Sequence, residues 1–194
     1  MKKIILTFIV IFLLILAISN VKVISTTNQP QDPNKPICLS VFMTKAEILK
    51  LLGDNYSFTT EKDESGTNYY STLSYKDLYF GFNHKEETCP QNITPSTIIT
   101  VSKKYTFSNG FTIGTNSIEA LNKCEQLFNS TLNELNNTYF FDIFDYKEFN
   151  ENKELVNTNF KIRFEYTSDK YFESKDVMDK ESAIELIHLF SMSD

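Results

Sequence analysis

The sequence predicts an α+β fold in which short helices pack on an antiparallel sheet. The first observation behind this prediction is a pair of short helical segments with clear start signals. The second is a series of aromatic-rich segments in which apolar and polar residues alternate. A third observation is that the first helix-start pattern returns 72 residues later, which favours two tandem helix-then-sheet repeats, 38–109 and 110–194. Chance recurrence of a common capping pattern is the alternative.

Residues 1–25 have the pattern of an export signal. Lys2 and Lys3 precede an uncharged apolar run over residues 4–18. The run is shorter than the roughly 20 apolar residues that cross a bilayer core, so a cleaved signal peptide is favoured. An uncleaved signal anchor through residues 4–19 and a buried core helix are the alternatives. Either form of export predicts an extracytoplasmic domain, secreted or anchored to the membrane.

The net charge of the chain limits the partners that it can bind. The full chain carries 19 basic and 25 acidic residues, and without the three lysines of residues 1–25 its net charge is −9. Nucleic acid is excluded as a partner because a polyanion needs clustered Lys and Arg. The same repulsion disfavours anionic membrane surfaces, so membrane contact is expected only through an uncleaved N-terminal segment.

Three cysteines in an exported protein leave at least one thiol either unpaired or paired with a second chain. Cys124 falls on the apolar stripe of a predicted helix, where a free thiol behaves as a small hydrophobic group. Cys38 and Cys89 lie outside the predicted elements and are the candidate disulfide. That bond would close a loop of about 50 residues and stabilise the fold by about 4 kcal/mol in the chain-entropy model.

The first predicted elements are a linker and a helix. Residues 26–37 are rich in Pro, Asn, Gln and Thr and have no apolar period, which predicts an extended linker before the domain 38–194. Thr44 and Glu47 form a capping box ahead of an apolar run, and Gly53 supplies a left-handed stop. These start and stop signals predict a helix over residues 45–52.

The remaining elements come from apolar periodicity. A second helix begins at Ser117, with its apolar stripe continuing as far as Asn136, and a final helix is predicted over residues 180–190. Alternating apolar and polar residues predict the strands, which are 69–75, 78–82, 97–105, 139–144 and 160–166.

The stretch from Asn109 to Thr115, Asn-Gly-Phe-Thr-Ile-Gly-Thr, is followed by a short helix. It resembles a turn of small exported repeat proteins, among them the beta-lactamase inhibitory protein-like domains and outer-membrane lipoproteins with a similar helix-then-sheet unit. The resemblance covers residues 40–125. It implies helices before a curved antiparallel sheet and a function in binding other proteins.

No residue set matches a catalytic, cofactor or metal motif, so none is predicted. His84 and Cys89 are close enough in sequence to draw as a nucleophile pair, but a surface-loop pair is the favoured interpretation. Four carboxylates recur every three residues, as one helical face would present them, and the favoured interpretation is a solvated acidic edge: Asp142, Asp145, Glu148 and Glu151.

The hypothesis is therefore an exported or cell-surface domain that binds a protein partner and is not an enzyme. The alternative is an envelope hydrolase that uses paired carboxylates.

Overall fold

A computed structural model describes residues 35–128, 146–166 and 183–191, and the backbone of residues 140–143. The predicted export signal and nearly all of the predicted linker lie outside these residues. Within them, no helix combines the length and the apolar character that a membrane crossing requires.

The described part of the chain contains two helices and eleven strands. The helices are α1 (Lys45–Leu52) and α2 (Ser117–Phe128). The strands are β1 (Ile37–Leu39), β2 (Ser57–Lys62), β3 (Tyr69–Tyr75), β4 (Leu78–His84), β5 (Thr97–Thr100), β6 (Tyr105–Phe107), β7 (Phe140–Ile143), β8 (Lys147–Phe149), β9 (Leu155–Asn157), β10 (Phe160–Tyr166) and β11 (Ile184–Ser191).

Seven strands form one antiparallel sheet in the order β2-β3-β4-β5-β11-β10-β7. β1 pairs with β6 in parallel, and β8 pairs with β9 in a separate hairpin. The predicted α+β fold class is confirmed. In each half of the large sheet a helix precedes the strands, the first strand lies at an outer edge, and the last strand lies at the centre, where β5 meets β11. This order is the one that two helix-then-sheet units joined side by side would give, while the boundary between 38–109 and 110–194 stays a prediction.

Helix α1 begins and ends as its sequence predicts. The Glu47 amide donates to the Thr44 hydroxyl over 3.3 Å, and the Glu47 carboxylate accepts from the Thr44 amide over 2.7 Å. Gly53 has φ = 77° and its amide donates to Leu49 O, which closes the last turn. Lys45 joins α1 to the large sheet, because its Nζ lies 4.1 Å from the centroid of the ring of Phe58 on β2.

We expect Thr44→Ala to lower the free energy of unfolding by about 1 kcal/mol, because the first turn of α1 then loses the hydroxyl that accepts the Glu47 amide. Urea unfolding followed by circular dichroism measures the loss. Thr44→Ser keeps the hydroxyl and should restore most of the stability. Equal stability of the alanine and serine variants would contradict the role given to the cap.

The core lies on one face of the large sheet, where aromatic and aliphatic side chains form rows across the strands. One row runs through five consecutive strands, and its members are fully buried: Leu73, Phe80, Ile98, Leu189 and Ile162. Helix α2 packs on this face through Phe128, whose ring lies 6.0 Å from Phe111, which in turn lies 5.0 Å from Phe164. Both helices therefore cover the same side of the sheet.

The predicted final helix over residues 180–190 is wrong, because residues 184–191 form β11 between β5 and β10. The register between β10 and β11 explains why this strand has the apolar spacing of a helix. Glu165 pairs with Leu186 but Tyr166 pairs with Ile184, so one extra residue bulges out of β11. Ile184 and Ile187 are both buried although they lie three residues apart, which is a helical spacing.

Other differences concern shorter elements. The predicted strand 97–105 is divided into β5 and β6 by a turn that includes Lys103 and Lys104. The predicted helical face of Asp142, Asp145, Glu148 and Glu151 does not form, since residues 140–143 and 147–149 are strands. The predicted extension of α2 to Asn136 lies outside the described residues. Strands β1, β2, β8 and β9 have no counterpart in the sequence prediction.

Candidate functional site

The candidate site is the face of the large sheet opposite the two described helices, which we call the open face. Strand side chains alternate between the two faces, so the residues between the core rows point here. One row crosses β3, β4, β5, β11 and β10 and consists of Ser74, Tyr79, Ile99, His188 and Arg163. The neighbouring row consists of Thr72, Gly81, Thr97, Phe190 and Lys161. Apart from Gly81, which is buried, all of these residues are half-buried.

A tyrosine cluster occupies the β3–β4 part of the open face. The Tyr79 hydroxyl lies 3.1 Å from Thr72 Oγ1 and 3.4 Å from the Tyr70 hydroxyl. The Tyr70 ring lies over Gly81, where a Cβ atom would stand 2.0 Å from the Tyr70 hydroxyl oxygen. Gly81 is therefore required for this arrangement. Burial raises the pKa of Tyr70, and its hydrogen bond with Tyr79 adds to the effect, which brings the pKa to about 12 and keeps the hydroxyl protonated at neutral pH.

A cationic and aromatic cluster occupies the β11–β10 part. The rings of His188 and Phe190 have centroids 4.9 Å apart. The Arg163 guanidinium carbon lies 5.8 Å from the Phe190 centroid, within the range of a cation–π interaction. Ile99 lies between the two clusters, because it pairs with Tyr79 on one side and with His188 on the other.

Together these groups have the chemistry of a protein-binding surface. Tyrosine and phenylalanine rings offer large apolar area, and tyrosine hydroxyls offer hydrogen bonds at low conformational cost. Arginine and aromatic residues are also the residue types in which binding energy concentrates at protein interfaces.

The predicted disulfide between Cys38 and Cys89 is not formed, and both thiols are free. The Cys38 thiol lies on the exposed side of β1 and donates to Leu39 O over 3.9 Å. The Cys89 thiol is buried and donates to Pro90 O over 3.8 Å. The two cysteines belong to separate elements, since β1 pairs with β6 whereas the Cys89 loop contacts α1 through Lys45 Nζ and Cys89 O at 3.2 Å.

The third cysteine and one histidine are both packed in the interior. Cys124 is fully buried on α2, which confirms its predicted place on the apolar stripe, and burial raises the pKa of its thiol. His84 is buried rather than in a surface loop. Its Nε2 lies 2.7 Å from the Ser71 hydroxyl and its Nδ1 lies 2.7 Å from Glu86 O. Both ring nitrogens therefore have structural partners.

Glu148 is the main departure from the predicted acidic edge, because it is fully buried. Its carboxylate accepts from the Ser40 hydroxyl over 2.5 Å, the Tyr146 hydroxyl over 2.7 Å and the Val41 amide over 3.2 Å. Burial raises the pKa of this carboxyl against the effect of its three donors.

Among the other predicted carboxylates, only that of Glu151 lies in the described part of the structure. Glu151 is exposed in the β8–β9 turn, Asp142 pairs with Arg163 in the register of β7 and β10, and Asp145 lies outside the described residues. Among the residues that the structure describes, no three His, Cys, Asp or Glu side chains are grouped so as to hold a metal ion.

The residues of the open face were not predicted as a site. Their signal in the sequence is the second set of the alternating strands, which carries Arg163 between Ile162 and Phe164, and Tyr70 and Thr72 around Ser71. Alternation identifies that set as the side away from the core, but it cannot show that both of the described helices pack on the other side.

The chain matches no protein-family model, no curated protein and no solved structure.

Proposed function

We propose that this chain is an exported or cell-surface domain that binds a protein partner through its open face. The observation that carries the proposal is the pair of adjacent rows that cross five strands on the side of the sheet opposite both helices. A continuous surface of aromatic, hydroxyl and guanidinium groups suits a folded protein partner better than a small ligand, which needs a concave pocket.

The partner surface can be described by its chemistry. We expect the partner to place an apolar patch against Ile99 and Phe190. Opposite Tyr70 and Tyr79, we expect it to place hydrogen-bonding groups.

We expect Ile99→Arg to abolish capture of the partner while the fold is kept. The substitution places a charge at the centre of the open face, where it must be desolvated when a partner docks. The full chain and the variant are immobilised and exposed to the surface proteins of the native cells, and the retained proteins are compared by mass spectrometry. The fraction in which the native chain is found, medium, membrane or cytosol, tests export in the same cells.

Val101→Arg is the matched control, since Val101 lies two residues further along the chain, is exposed, and lies beyond the end of β5. The proposal predicts a protein that is retained by the wild type and by Val101→Arg but not by Ile99→Arg. Retention of nothing above background, or of the same proteins by all three chains, contradicts it.

A further inference from the structure

A second surface lies outside the open face, at the junction of the β1–α1 loop and strand β8. It is a groove of about 460 Å³ with apolar walls and an acidic rim. Phe42, Met43 and Phe149 form the walls, and Glu47, Asn150 and Glu151 form the rim. We refer to it as the Phe42 groove. Nothing in the open-face proposal uses these residues.

The walls of the groove expose aromatic surface that the fold could have buried. Phe42 is 47% exposed and Phe149 is 37% exposed, and both rank among the few large apolar side chains that face solvent in the described residues. Single exposed apolar side chains are common, but two phenylalanines that line one groove form a local apolar surface of the kind used for binding.

Hydrogen bonds hold the walls in place. The Phe42 amide donates to the Ser40 hydroxyl over 3.1 Å, and the Ser40 hydroxyl in turn donates to the buried Glu148 carboxylate. On the opposite wall, the Phe149 amide donates to the Ser108 hydroxyl over 3.1 Å. The backbone at both exposed phenylalanines is therefore held by hydrogen bonds. This lowers the entropy that is lost when the groove binds a ligand.

The rim gives the groove its charge. Glu47 and Glu151 both line it, and the described lining contains no Lys, Arg or His. The backbone and hydroxyl hydrogen bonds from Thr44 hold the pKa of Glu47 below its usual range, so this carboxyl is ionised at neutral pH. A cation that enters the groove meets carboxylates at the rim and the faces of phenylalanine rings at the walls, and both attract it.

We infer that the Phe42 groove binds a segment of a protein partner in which an apolar side chain is flanked by Lys or Arg. The apolar side chain fills the space between Phe42 and Phe149, and the cations pair with Glu47 and Glu151. The net charge of the chain, −6, steers such a segment toward it. None of the described residues that line the groove belongs to the seven-stranded sheet that forms the open face, so the two surfaces are separate binding sites.

Three fluorescein-labelled peptides with Gly-Ser flanks serve as probes, and they differ only at their centres. The first carries Lys-Leu-Phe-Arg, the second carries Glu-Leu-Phe-Glu, and the third carries Lys-Ser-Ser-Arg. Fluorescence anisotropy with the full chain should give saturable binding of the first peptide and at least tenfold weaker binding of the other two. Binding of the first should weaken as salt is added, because the rim charges are exposed.

The Phe42→Ser and Glu151→Lys variants should each bind the first peptide at least tenfold more weakly, whereas Val101→Ser, which changes an exposed apolar residue outside the groove, should bind as the wild type does. Thermal midpoints verify that each variant is folded. Ile99→Arg should bind the peptide normally, so a failure of the groove and a failure of the open face give different results.

Several outcomes would overturn the inference. These are no saturable binding of the first peptide, equal binding of the acidic peptide, and NMR shift changes that map to the open face instead of to Phe42 and Phe149. Self-association that is lost in Phe42→Ser, seen by sedimentation, would assign the groove to a second copy of the chain.

Discussion

Replacing Phe164 with alanine is expected to lower the free energy of unfolding by about 3–5 kcal/mol. Phe164 is fully buried on β10, where it pairs with Ile187 of β11 and its ring lies 5.0 Å from that of Phe111. Phe111 also contacts Phe128 of α2, so the Phe164 ring joins the second helix to the sheet. The alanine variant loses the hydrophobic burial of the ring and leaves a cavity next to Phe111.

Urea unfolding measures the loss, and two further variants make the result interpretable. Glu165→Ala changes the next residue of β10 on the open face and should alter the free energy of unfolding by less than about 1 kcal/mol. Phe164→Leu should lose roughly 1–2 kcal/mol. It keeps the test readable if the alanine variant does not fold, since the total stability of such domains is about 5–15 kcal/mol. A loss below about 1 kcal/mol for Phe164→Ala would show that the ring is not a core element.

The parts of the fold that the sequence predicts are those specified by neighbours along the chain. Thr44, Glu47 and Gly53 determine both ends of α1 through bonds within one or two turns of the helix. Strand β10 is predicted at its observed bounds because Phe160, Ile162 and Phe164 alternate strictly with polar residues. In both cases local pattern and tertiary structure agree, as they do in a consistently encoded fold.

The parts that could not be predicted depend on distant pairings. The bulge opposite Tyr166 gives Ile184 and Ile187 a helical spacing on a strand, and only the register with β10 reveals it. The burial of Glu148 depends on Ser40 and Val41, which are 108 and 107 residues away. No period in the sequence carries that information.

The candidate surfaces illustrate the same limit. Alternation in β3 and β10 assigns Tyr70 and Arg163 to the side of the sheet away from the core, but the packing of both described helices on the opposite side depends on tertiary contacts. The Phe42 groove unites a loop before α1 with a hairpin more than 100 residues later, so its two phenylalanines cannot be associated from the sequence.

The second large effect is expected at Glu148, where Glu148→Ala should lower the free energy of unfolding by about 3 kcal/mol. The substitution leaves the Ser40 hydroxyl, the Tyr146 hydroxyl and the Val41 amide without their acceptor, and each unsatisfied buried donor costs about 1–3 kcal/mol. Part of that cost is offset because the buried carboxyl itself no longer has to be desolvated. Glu151→Ala, at an exposed carboxyl of the same hairpin, is the control and should change stability by less than about 0.5 kcal/mol.

The Glu148→Gln variant separates hydrogen bonding from charge, because glutamine keeps an acceptor oxygen and does not titrate. Burial raises the pKa of Glu148 above its ordinary value of 4.5, so folding favours the protonated carboxyl. The stability that this group contributes is therefore present in full below pH 4.5 and is lost as the pH rises through the raised pKa of the folded state. Relative to Glu148→Gln, the wild type should lose stability as the pH rises above 4.5, as measured by urea unfolding at a series of pH values. A difference that stays constant would mean that the carboxyl titrates alike in the folded and unfolded chains. A wild type that gains on Glu148→Gln as the pH rises would show that the three donors outweigh burial, and that Glu148 holds the β1–α1 loop to β8 as a charged group.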